Sequence, residues 1–113
     1  MKTFATAGLL AAFLFTGTAM AADPILGKWR TNGGETARIA SCGGGFCITL
    51  MTGKHKGKRI GRMNRNGSGY KGSITDPGNN KTYSGSARLA GRILKMTGCA
   101  LMVFCRSQNW QKL

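Results

Sequence analysis

The sequence predicts an all-β fold: a small antiparallel barrel or sandwich of about eight strands. Three observations lead there. No segment sustains the three-to-four-residue apolar period of an amphipathic helix. Short apolar or alternating runs recur instead at regular spacing, each closed by Gly, Asn or Asp. Eighteen glycines against two prolines supply tight turns without the breaks that prolines put into a sheet. With 42% hydrophobic residues the chain can fill a core, which excludes a wholly disordered protein.

Taken in chain order, Gly27–Thr31 is the first run and stops at Asn32-Gly33, two residues that accept positive φ. Glu35–Ser41 alternates and places Ala37 and Ile39 on one face. Gly43-Gly44-Gly45 then turns the chain into Cys47–Met51. Arg59–Asn64 is a weaker strand, ended by Asn66-Gly67. Tyr70–Thr75 follows, with Tyr70, Gly72 and Ile74 on one face, and runs into the dense turn signal Asp76-Pro77-Gly78-Asn79-Asn80. Lys81–Leu89 and Gly91–Thr97 form a hairpin about Leu89-Ala90-Gly91, and Val103–Gln111 is the last strand. Neither a repeat nor a long linker divides this stretch.

Ahead of it, Met1-Lys2, the apolar run Phe4–Phe15 and Ala19-Met20-Ala21 spell an export signal with its cleavage motif. Residues 1–21 are expected to leave as a cleaved signal peptide, and residues 22–113 to form a single β-barrel domain, monomeric, in the periplasm or outside the cell. The apolar run falls short of the ~20 residues of a spanning helix, so the protein is not expected to cross a membrane.

All four cysteines, Cys42, Cys47, Cys99 and Cys105, follow that signal. In an oxidising compartment they read as two disulfides, whereas their spacing and the single His suit structural zinc poorly. Three connectivities are open. The local pairs Cys42–Cys47 and Cys99–Cys105 are favoured, because each would staple a hairpin whose partners sit opposite each other.

Seventeen Lys and Arg stand against three acids, a net charge of +14. The densest run is Lys54, Lys56, Lys58 and Arg59, continued by Arg62 and Arg65, with no acid among them. Such a patch suits polyanions: lipopolysaccharide phosphates, anionic polysaccharide, acidic lipid or nucleic acid. Its plainer role is a solvated loop, yet the charge exceeds what solubility asks of a small domain. No basic strand interleaved with aromatics is present, so no specific nucleic-acid partner is expected.

Asp23, Glu35 and Asp76 supply at most one carboxylate pair, and Asp76-Pro77 is better explained as a turn. His55 lies among lysines with no carboxylate beside it in sequence to orient it. Gly67-x-Gly69-x-x-Gly72 spells a dinucleotide fingerprint but precedes a strand rather than a helix. No catalytic residue, metal ligand or cofactor is expected.

Gly27-Lys28-Trp29 near the start and Arg106 near the end resemble the lipocalin and calycin pattern. That resemblance implies Trp29 as a barrel plug covered by the Arg106 guanidinium. A wider set of features resembles an exported bacterial family of unknown function, domain of unknown function 2147, over nearly all of residues 22–113. These are Asp23-Pro24-Ile25, Gly27-Lys28-Trp29, Cys42 with Cys47, Asp76-Pro77, Lys81-Thr82-Tyr83 and Ser107-Gln108-Asn109-Trp110. The chain departs from that family in being short and basic between Met51 and Arg62. The resemblance narrows the fold to a small antiparallel up-and-down, lipocalin-like barrel of about eight strands and brings no activity with it. The expected function is therefore a non-catalytic binding protein of the bacterial envelope, for a small molecule or an envelope component. The alternative is a basic surface protein that binds an anionic envelope or host-surface polymer, with the barrel as scaffold.

Overall fold

A computed structural model describes residues 22–101 and 103–113. The expected signal peptide lies outside the described residues. Among the described residues, eight strands follow one another without a helix: β1 (Gly27–Arg30), β2 (Thr36–Cys42), β3 (Gly45–Leu50), β4 (Arg59–Asn66), β5 (Gly69–Asp76), β6 (Lys81–Ala90), β7 (Ile93–Ala100) and β8 (Phe104–Lys112). Each pairs antiparallel with the next, and β1 closes on β8 to complete an up-and-down barrel.

The turns explain the registers. Gly43 and Gly44, at φ 51° and 85°, make a two-residue connection, so Cys42 pairs with Gly45. Such a turn needs positive φ at both central positions, which glycine adopts without strain. Asp76 Oδ1 accepts from Gly78 N at 2.8 Å, the local bond expected of an Asp before Pro in a turn.

Inward-facing side chains build one core. Trp29, Ile39, Ile48, Met63 and Leu94 are each at most 1% exposed. Trp29 opposes Ala37 in β2, and Ile39 opposes Ile48 in β3, so apolar side chains meet across neighbouring strands. Three glycines lie side by side on this face, Gly72 in β5, Gly85 in β6 and Gly98 in β7. At Gly85 a Cβ would press on Ile74, 2.6 Å away, so that side chain already occupies the space. At Gly72 the carbonyl of Arg62 stands in the way. At Gly98 the nearest atom is the Tyr83 Cβ, at 3.9 Å, so the interior is open there.

Both local disulfides are present, and no described cysteine is free. Their geometries differ. Cys99 and Cys105 are direct partners across β7 and β8, with Cα atoms 4.0 Å apart. Cys42 and Cys47 are not opposite each other, as a four-residue turn would have made them. The tighter turn sets Cys47 against Ala40, so the bridge spans a diagonal, with Cα atoms 5.8 Å apart.

Candidate functional site

An up-and-down barrel has two ends, and here they differ. One end carries residues 22–26, the β2–β3, β4–β5 and β6–β7 turns, and Leu113. The segment before β1 closes it. Ile25 is fully buried, and its carbonyl accepts the Trp29 indole N–H at 2.9 Å. Asp23 latches the segment: it accepts the Tyr70 hydroxyl at 2.5 Å and pairs with Arg65 Nε at 3.2 Å. Arg65 also lies over the Tyr70 ring, 5.3 Å from its centroid. Tyr70 is consequently held neutral, its pKa raised from 10.0 to about 12. Burial is the main cause, the Asp23 hydrogen bond and charge come next, and Arg65 pulls the other way.

Trp29 lies fully buried at this closed end, and the cation over its ring is not Arg106. Lys112 Nζ sits 4.8 Å from the Trp29 ring centroid and donates to the Leu26 carbonyl at 2.6 Å. Register is the reason. The strand β1 meets β8 only at Trp29–Lys112 and Arg30–Gln111, so the residue beside Trp29 is Lys112. Arg106 lies six residues earlier and pairs with Gly98.

That position makes Arg106 part of something else. The opposite end is open, and a cavity of about 610 Å³ enters it between the β5–β8 walls and the β1–β2 hairpin. Ile60, Met96, Trp110 and Phe104 form its apolar wall. Tyr83, Arg106 and Gln108 project polar atoms into it, and Glu35 and Asp76 stand at the mouth. Gln108 accepts the Trp110 indole N–H at 3.0 Å, which fixes that ring in the wall. The opening exists because β1 stops at Arg30: Phe104 through Gln108 on β8 have no β1 residue opposite them.

The six cations expected to act together are divided between the ends. Arg62 donates to the Cys42 carbonyl at 2.8 Å and to the Gly43 carbonyl at 3.1 Å, over the first disulfide at the closed end. Arg65 is there too, on Asp23. Lys54, Lys56, Lys58 and Arg59 remain together and exposed, in or beside the β3–β4 loop at the open end. Backbone bonds order that loop: Gly57 N to the Leu50 carbonyl at 2.7 Å and Lys58 N to the His55 carbonyl at 3.0 Å. Lys58 Nζ reaches Asn80 Oδ1 at 3.0 Å and ties the loop to the next turn.

Sequence reading missed Ile25 as the plug and Lys112 as the cation on Trp29. Neither has a local signature, because both roles depend on how the chain ends meet in the closed barrel. Arg106 was found for the wrong role, since its inward parity is readable but its register against β1 is not. Among the described residues, no three His, Cys, Asp or Glu side chains come together as a metal site would need, and no helix is long and apolar enough to cross a membrane.

Residues 57–112, the end of the cationic loop and strands β4–β8, match a family described as an uncharacterized protein conserved in bacteria (DUF2147). The features at Asp23–Ile25, Gly27–Trp29 and Cys42 with Cys47 lie outside that match. No curated protein and no solved structure matches the chain.

Proposed function

We propose that this chain, a member of that uncharacterised bacterial family over residues 57–112, is an exported, non-catalytic binding protein of the cell envelope. It takes a small ligand into the open end of its barrel. The observation that carries the reading is the cavity. Its volume of about 610 Å³ suits a small molecule, and small-molecule sites typically pair apolar walls with a few convergent polar groups. Met96, Phe104 and Trp110 offer contact to an apolar body, while Arg106 and Gln108 offer hydrogen bonds to an anionic or carbonyl end.

Two disulfides fit an oxidising compartment and so favour export. The non-catalytic reading draws on how the acids are used. Asp23 is bonded to Tyr70 and Arg65, and Asp76 caps its own turn. A second reading, attachment to an anionic polymer such as lipopolysaccharide or polysaccharide, is favoured by the exposed cluster Lys54, Lys56, Lys58 and Arg59.

Native mass spectrometry of protein purified from its own host's envelope tests the cavity. The wild type should retain a small molecule. Gly98→Leu, which fills the open part of the interior, should lose it, while Lys54→Gln with Lys56→Gln should keep it. A folded wild type that carries no retained mass, or a ligand kept by Gly98→Leu, overturns the cavity reading.

A further inference from the structure

The open end carries an apolar tip that reaches beyond the cavity: Phe104 also lines the cavity wall, whereas Leu101 and Val103 do not. Between β7 and β8, Leu101 is 81% exposed, Val103 70%, and the adjoining Phe104 68%. The Cys99–Cys105 bridge joins the two strands just before and after this turn, directly beside the Ala100–Phe104 pair. Single exposed apolar residues are ordinary, but several gathered at one tip mark a contact surface. Across the same mouth stand Lys54, Lys56, Lys58 and Arg59. Lys81 shares an outer groove with Leu101 itself.

We propose that the open end of the barrel docks on an anionic lipid bilayer. Leu101, Val103 and Phe104 enter the boundary between headgroups and acyl chains, and the cations of the β3–β4 loop lie against lipid phosphates. Three features select this occupant. A protruding tip of a few side chains is too small for a stable protein interface, which buries ~800 Å² on each partner. The apolar and cationic loops flank one mouth from opposite sides, an arrangement that a flat surface meets at once. The field is of one sign: the chain carries +14, and the acids at this end are only Glu35 and Asp76, the latter engaged with Gly78. A soluble polyanion would engage the cations and leave the apolar tip without a role. The inference shares its cations with the polymer reading and does not depend on the cavity being filled.

Sedimentation with vesicles of phosphatidylglycerol and phosphatidylcholine tests it, with heparin binding as the parallel measurement. The wild type should bind anionic vesicles, should not bind pure phosphatidylcholine, and should release as salt shortens the screening length to ~3 Å at 1 M. Lys54→Gln, Lys56→Gln, Lys58→Gln and Arg59→Gln together should lower partitioning by about 100-fold or more, since each cation near such a surface is worth roughly fivefold. Leu101→Asn, Val103→Ser and Phe104→Ser together should lose vesicle binding at least tenfold while keeping heparin binding, which also shows that the variant is folded. Asn suits position 101, where φ is 53°. As a second variant, Val103→Trp should shift its emission to the blue on anionic vesicles alone. Heparin binding without vesicle binding, an apolar-tip variant that binds vesicles like the wild type, or an unshifted Val103→Trp emission would each overturn the proposal and favour a polymer or a plain solvated rim.

Discussion

Replacing Trp29 by Ala is the sharpest test of how the closed end is built. The side chain is fully buried, donates its indole N–H to the Ile25 carbonyl at 2.9 Å, and lies beneath Lys112. Truncation empties space that Ile25 and the neighbouring strands cannot fill without moving the Asp23 latch. Loss of a buried Trp side chain costs about 3–5 kcal/mol. The Ile25 carbonyl would also lose its partner, and an unsatisfied buried acceptor costs about 1–3 kcal/mol more unless water enters. The total therefore belongs at the upper end of the core-deletion range. Trp29→Phe separates the parts: it keeps much of the ring and loses only the hydrogen bond and some volume, so about 1–3 kcal/mol is expected. Equilibrium unfolding in guanidinium with both disulfides intact measures both variants. A loss below about 1 kcal/mol for Trp29→Ala would refute the plug, because no fully buried indole in a rigid shell can be deleted so cheaply.

Two further outcomes follow from the latch and from the glycine row. Tyr70, held at about 12, is neutral when folded and ionises near 10.0 when unfolded. Its contribution to stability is full below pH 10 and fades as pH rises from 10 to about 12. Asp23→Asn should bring Tyr70 ionisation down toward its ordinary value, followed by tyrosinate absorbance in a Tyr83→Phe background; an unchanged titration would mean that Asp23 does not engage the hydroxyl. In the glycine row, Gly98→Val should be neutral or stabilise by up to ~1 kcal/mol, because a β-branched residue suits a strand and the space is open. Gly72→Ala should destabilise by roughly 1–3 kcal/mol, since its methyl meets the Arg62 carbonyl. Equal effects from the two, read by chemical unfolding, would contradict the open interior at Gly98.

The strands were legible because the turns are written in residue types that few other conformations want. Gly43-Gly44, Asn66-Gly67 and Asp76 to Asn80 each fall at or beside an observed turn. Strand ends shift by one to three residues where glycine runs leave the turn position open, as around Gly91. The local disulfides were legible for the same reason, since a short hairpin leaves each cysteine one near partner. The site was less so. Its geometry depends on where β1 ends and which β8 residue it meets, a contact between residues at opposite ends of the chain. No local pattern encodes that register, so Arg106 could be placed on the inward face but not at the right end. The apolar tip did have a signal that went unused. Once Cys99 and Cys105 are joined as hairpin partners, Leu101 and Val103 fall at the turn between the strands, where apolar side chains have few neighbours to cover them.

The cations show why a run of charge in sequence is a poor guide to a patch in space. Successive strands travel in opposite directions, so a basic run that crosses from a loop into a strand is drawn along the barrel wall. Lys54 to Arg59 stay at the open end, whereas Arg62 and Arg65, a few residues on, are carried toward the closed one. Their chemistry diverges with their place. At the closed end Arg62, Arg65 and Lys112 are engaged with the Cys42 and Gly43 carbonyls, Asp23 and the Leu26 carbonyl. Arg65 and Lys112 hold the segment before β1, and Arg62 holds the β2–β3 turn. At the open end Lys54, Lys56 and Arg59 are exposed, in or next to an ordered loop beside a cavity and an apolar tip. These cations are therefore two populations, one bonded within the closed end and one exposed at the open end. A test by substitution must keep them apart. Exchanging Arg62 or Arg65 together with the loop lysines would mix a loss of stability with a loss of binding, whereas the four open-end cations can be removed with the latch intact.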